Sequence, residues 1–175
     1  LFRSNDYFAV DDNAAITTLD GGSDNDQFQI GQIYGAPRIS TPAGSNSATV
    51  EDGDAFDTID TTAGYISRGA TFSLTALGGT GNDKFTIYSN KAELRMEGND
   101  GNDEFVVRAF ALRSGDGVST EDRTDVLGGE GDDLIQYNIN APVGLDGGAG
   151  FDKVVVIGTE FNDNFVITED GVYGA

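Results

Sequence analysis

Five aspartates, Asp26, Asp83, Asp103, Asp133 and Asp152, each close a glycine-rich hexapeptide and lead into a short apolar run. The fullest copy reads Gly78-Gly79-Thr80-Gly81-Asn82-Asp83-Lys84-Phe85-Thr86, and its neighbours are Gly98-Asn99-Asp100-Gly101-Asn102-Asp103-Glu104-Phe105, Gly128-Gly129-Glu130-Gly131-Asp132-Asp133-Leu134-Ile135 and Gly147-Gly148-Ala149-Gly150-Phe151-Asp152-Lys153-Val154. A fifth, Gly21-Gly22-Ser23-Asp24-Asn25-Asp26-Gln27-Phe28, carries Asp24 at its fourth place. Glycine permits the positive φ values by which such a turn reverses the chain with carbonyl oxygens aimed to one side, and the closing aspartate adds a carboxylate. Stacked at the strand spacing of about 4.8 Å, these turns would surround a shared gap with hard oxygens. Six to eight oxygens at roughly 2.3 to 2.6 Å suit calcium, whereas magnesium demands a tighter octahedron. Zinc is a poor fit, because the chain has no His and no Cys.

The elements that would position these turns follow from spacing. With weaker members at Asp6 and Asp57, the closing aspartates are separated by 20, 31, 26, 20, 30 and 19 residues. Asp6 to Asp83 and Asp26 to Asp103 are both 77 residues, and Asp57 to Asp133 is 76, so the sequence reads as two units, approximately 1–77 and 78–152, plus a partial coil within 1–175. Internal periods of this size indicate a solenoid, propeller or array. Four- to five-residue runs with apolar residues at every second place predict short strands, and the fold class read from them is all-β, a parallel β-solenoid with its glycine turns along one edge. Inward ladders are expected from Phe8, Val10, Phe28, Ile30, Phe85, Ile87, Phe105, Val107, Leu134, Val154 and Val156, with Phe165 also in the core. Residues 34–47 and 112–123, rich in Gly, Ser, Thr or Pro, read as surface loops on the opposite edge.

The phrase resembles the Gly-Gly-x-Gly-x-Asp-x-apolar-x nonapeptide of the hemolysin-type, repeats-in-toxin (RTX) calcium-binding family. That resemblance implies a β-roll with calcium between successive turns, held by the sixth-position aspartates Asp26, Asp83, Asp103, Asp133 and Asp152. It implies carbonyl donors at Gly78, Thr80, Gly98, Asp100, Gly128, Glu130, Gly147 and Ala149, and adds Asp6, Asp24, Asp57, Asp132 and Asp163 to the candidate metal set. Asp163, 11 residues after Asp152, is expected on the opposite edge. Family repeats run in tandem, whereas these are spaced, a form similar to segments of very large bacterial surface proteins. The family also implies secretion and folding on meeting extracellular calcium.

Composition narrows the partners. Thirty acidic residues against 10 basic give a formal charge of -20, which disfavours nucleic acid and anionic membranes and strains a compact fold unless cations neutralise part of it. No apolar run is long enough to cross a membrane as a helix. Without histidine, no general base stands out among the many carboxylates, so an enzyme is not expected. The reading is an extracellular, calcium-binding structural module of a surface layer, adhesin, matrix or filament, partnered by calcium and by further coils or subunits end to end. The alternatives are a β-helix belonging to a polysaccharide-acting enzyme, and an adhesin that binds glycan through its corner loops.

Overall fold

The computed structural model describes residues 4–38, 58–61, 64–108, 124–139, 143–159, 162–168 and 171–174. Among these residues there are strands and no helix. In chain order they are β1 (Tyr7–Val10), β2 (Thr17–Ser23), β3 (Gln27–Ile30), β4 (Ile33–Tyr34), β5 (Ile59–Thr61), β6 (Gly64–Ile66), β7 (Leu74–Thr80), β8 (Lys84–Ile87), β9 (Leu94–Asp100), β10 (Glu104–Val107), β11 (Thr124–Glu130), β12 (Leu134–Asn138), β13 (Val143–Ala149), β14 (Lys153–Ile157), β15 (Phe165–Thr168) and β16 (Gly171–Gly174).

Two sheets dominate. One has the order β1-β3-β8-β10-β12-β14, the other β13-β11-β9-β7-β2, and neither closes on itself. Every pairing within them is parallel. A tight turn cannot join parallel neighbours, so the chain passes to the other sheet before returning beside its earlier strand. The glycine phrases make that passage, from β2 to β3, β7 to β8, β9 to β10, β11 to β12 and β13 to β14. Their first three residues are strand rather than turn: Gly78, Gly79 and Thr80 complete β7, and Gly79 and Thr80 pair with Asn99 and Asp100.

Alternation places the core between the sheets. Phe28, Ile30, Phe85, Ile87, Phe105 and Val107 face inward from one, and Leu74, Ala76, Leu94, Met96 and Val126 from the other, all 2% exposed or less. Phe8, Phe28, Phe85 and Phe105 stack in register, with centroids 4.9, 4.7 and 4.7 Å apart and planes within 9°. Leu134 does not join this ladder. Ile135 is in register with Phe105 and is buried, while Leu134 aligns with the outward Glu104 and Lys153. Two adjacent apolar residues follow Asp133, and the inward place is the second residue after each closing aspartate, as Phe28, Phe85 and Phe105 show. Val154 holds the inward register on the sheet's last strand but stays 49% exposed, with no strand among the described residues paired beyond it. Phe165 is 44% exposed in a separate antiparallel hairpin of β15 and β16, not in the core ladder.

The long interval after Asp26 is not filled by a stacked coil. β3 pairs directly with β8, Phe28 against Phe85, although 57 residues separate them. Between them β4, β6 and β5 form a small antiparallel sheet, β4 at the start of the stretch read as loop and β5 and β6 where the coil after Asp57 is expected. The coil closed by Asp83 therefore stacks directly on the coil closed by Asp26, with no rung between the two aspartates. Residues 39–57, including Asp57, lie outside the described residues, as do 109–123.

Candidate functional site

The closing aspartates form one column. Asp26 Oδ1 accepts the backbone N–H of Asp6 at 2.6 Å, Asp83 that of Asp26 at 2.7 Å, and Asp103 that of Asp83 at 2.7 Å. Asp133 continues the series with Asp103 N–H at 2.8 Å, and Asp152 with Asp133 N–H at 3.0 Å. Each carboxylate thus reaches back to the preceding coil and satisfies a backbone donor that a turn would otherwise leave unpaired. A charged acceptor makes this a stronger tie than a neutral hydrogen bond.

The second carboxylate oxygen explains the first glycine of the phrase. A Cβ on Gly21, Gly78, Gly98, Gly128 or Gly147 would lie closer than 3.0 Å to Oδ2 of the aspartate closing the same turn. On Gly78, Gly98 and Gly128 it would also press on the carbonyl oxygen of Gly98, Gly128 and Gly147 in the following coil. None of these first glycines has a positive φ, so space and not backbone freedom selects them. At the fourth place both reasons act: Gly81, Gly101, Gly131 and Gly150 have φ between 129° and 138°, and a Cβ on each would strike the preceding coil's carbonyl. Asp24 fills that place with φ 78° on the first complete phrase, and the second-place Gly22 beside it has open space where its Cβ would be. Glycine is needed where coil meets coil.

Electrostatics sets the chemistry. Asp26, Asp83, Asp103 and Asp133 are 1–2% exposed, and among the described residues their Oδ2 atoms have no hydrogen-bond partner. Loss of hydration raises all four carboxyls above the usual range, against the pull of the N–H from the preceding coil. Asp103, with Asp83 and Asp133 on either side, is pushed up to about 7. A buried carboxyl without a counter-charge must take up a proton or a cation.

The other candidates divide. Asp6, half-buried, belongs to the column and accepts Ser4 Oγ. Asp24, Asp100, Glu130 and Asp132 are exposed; Asp132 Oδ1 accepts the Phe151 N–H at 2.8 Å. The carbonyls of Asp100, Glu130 and Ala149 each accept a glycine N–H from the preceding coil, at 2.8 to 2.9 Å, which leaves each a second lone pair. Thr80 ends its strand in register with Ser23 and Asp100. Asp163 makes a local contact of its own: Oδ2 lies against Gly158 and accepts the Thr159 N–H, and Oδ1 accepts the Thr159 hydroxyl. Among the described residues no three acidic side chains converge on one point, so any cation here would draw on backbone oxygens as well.

Sequence reasoning missed the asparagines one place before the aspartates. Asn5, Asn25, Asn82 and Asn102 form a second ladder whose Oδ1 atoms accept N–H groups from the following coil, opposite in direction to the aspartates. Their recurrence in the fifth place of the phrase was the available signal. Comparison with family models, curated proteins and solved structures finds no match to this chain.

Proposed function

We propose that this chain is a calcium-binding structural module, a β-solenoid whose coils are locked together by cations along the aspartate column. The observation that carries the reading is the run of four buried carboxylates, each with one oxygen engaged and the other without a partner. The donor set fits a hard cation: Asp26, Asp83, Asp103, Asp133 and Asp152 would supply carboxylate oxygen, and the glycine carbonyls of the adjoining coils would complete the shell. The alternating passage between two parallel sheets, one strand to each per coil, supports the solenoid.

Calcium would supply the positive charge that these turns lack. Metal-free, the column confines like charges at coil spacing with the hydration of each removed, and ionisation opposes stacking. Bound calcium converts the same carboxylates into cross-links, so binding free energy becomes folding free energy. Such a module would be rigid where calcium is plentiful and loose where it is scarce, which suits an extracellular surface layer, adhesin or filament.

The test is a calcium titration of the chelated protein followed by circular dichroism and calorimetry. A β spectrum that sharpens and a melting temperature that rises with calcium, but not with equal magnesium, is the expected result. A spectrum and melting temperature indifferent to calcium would overturn the reading.

A further inference from the structure

We propose that the asparagine ladder is a binding site for an extended, neutral, equatorially linked polysaccharide lying along the stack, across the strands. The site shares its groove with Asp26 and Asp83 of the aspartate column but uses different atoms, the amide nitrogens of the asparagines.

The geometry carries it. Asn25 N–H donates to Asn5 Oδ1 at 3.1 Å, Asn82 N–H to Asn25 at 2.7 Å, Asn102 N–H to Asn82 at 2.9 Å and Asp132 N–H to Asn102 at 2.8 Å. These bonds fix each amide in place and determine its flip, because the oxygen must face the backbone donor. The Nδ2 group of each is then held outward with two N–H donors. All four side chains are exposed, and among the described residues no acceptor meets their Nδ2 groups. They line an open groove of about 380 Å³ that also takes in Asp26 and Asp83 of the column, Gln27 and the Lys84–Glu104 ion pair, 2.7 Å between charged atoms.

A row of fixed donors repeating at the coil spacing, about 4.8 Å, selects its ligand by step length. Consecutive pyranose rings joined through equatorial bonds repeat at a closely similar step and offer a hydroxyl oxygen at each. An extended peptide repeats at about 3.3 Å per residue and falls out of register within two rungs. Because the donors are already ordered, little side-chain entropy is lost on binding. Exposed rings stand at both ends: Tyr7, 58% exposed, beside Gln27, and Phe151, 83% exposed, on the rung after Asp132. Each offers a flat apolar face for a sugar ring. The formal charge of -20 disfavours a polyanion.

Asp132 supplies the control. It holds the ladder's geometry with an oxygen where the four asparagines carry nitrogen, so Asn→Asp keeps the backbone acceptor and removes the donors. The full chain, ¹⁵N-labelled and with calcium present, is titrated with hexasaccharides of β-1,4-linked glucose and of β-1,4-linked N-acetylglucosamine. The α-1,4-linked glucose hexamer and an uncharged extended hexapeptide serve as comparators. Saturable shifts of the Asn25, Asn82 and Asn102 side-chain amide signals are expected with at least one β-linked hexamer. Combining Asn82→Asp with Asn102→Asp should weaken that binding about tenfold or more while the circular dichroism spectrum is kept, and Asp132→Asn should tighten it severalfold. The proposal is overturned by the absence of saturable shifts with both β-linked hexamers, by equal affinity for the α-linked hexamer or the peptide, or by unchanged affinity in both the double variant and Asp132→Asn.

Discussion

Replacing Asp103 by Asn changes one atom and separates two roles of the column. Asp103 is 2% exposed, its Oδ1 accepts the Asp83 N–H at 2.7 Å, and its Oδ2 has no hydrogen-bond partner among the described residues. Asparagine keeps the first contact and places a neutral N–H donor where the second oxygen was, in a space that a Cβ on Gly98 would share with the Gly128 carbonyl oxygen. The Asp103 carboxyl is raised from 3.8 to about 7, chiefly by loss of hydration. The folded chain therefore holds this proton more tightly than the unfolded chain. The stability so gained is complete below about pH 4 and is lost as pH climbs through the window from 3.8 to about 7. At about 1.36 kcal/mol per unit the loss is on the order of 4 kcal/mol, a large share of an ordinary domain's stability. In chelator at pH 8, Asp103→Asn should raise the unfolding free energy by roughly 2 to 4 kcal/mol, while at pH 4 it should lie within about 1 kcal/mol of the parent. Calcium should stabilise the parent more than the variant. Urea unfolding followed by circular dichroism at both pH values, in chelator and in calcium, measures all of these. A variant less stable than the parent at pH 8 in chelator would refute the reasoning, because it would mean that the ionised carboxylate already has a counter-charge within the protein.

Two further substitutions test the packing. Gly101→Ala combines φ 137° with a Cβ driven into the Gly81 carbonyl, and should cost about 3 to 5 kcal/mol, whereas Gly22→Ala, at φ 91° with nothing within 4 Å, should cost about 1 to 2; equal losses in urea midpoint would mean that backbone conformation alone selects glycine. Phe85→Ala opens the middle of the ring column, where the side chain is fully buried, and should cost about 3 to 5 kcal/mol, clearly more than Phe8→Ala at the partly buried end; a smaller loss at Phe85, measured by the same unfolding, would contradict the ladder.

Much of this was legible from local pattern. Period-two apolar residues gave β1, β3, β8 and β10 with their inward faces, because facing within a strand depends only on alternation. The aspartates were legible as a set, because each closes the same phrase. Leu134 shows the limit: where Leu134 and Ile135 are both apolar, composition cannot assign the inward place, and register with Phe105 must. The glycines show another. Positive φ accounts for Gly81 and Gly101, but Gly78 and Gly98 are glycine because a carboxylate oxygen and a neighbouring carbonyl occupy the space of a Cβ.

The order of the coils lay furthest from the sequence. A recurring period of 76 to 77 residues suggested that Asp57 separates Asp26 from Asp83, yet Asp26 N–H donates directly to Asp83 Oδ1 and β3 pairs with β8. A strand edge accepts any strand that matches its alternation, and separation along the chain adds only a slowly growing closure cost, so an interval cannot say which turn stacks on which. The sequence by itself determined the apolar residue, aspartate and glycine of each rung, because those follow from the local needs of a strand and a turn. Tertiary structure alone decided which rungs touch, and with that the burial of one carboxylate oxygen per coil and the outward row of amides, since both arise only when one turn is laid against another.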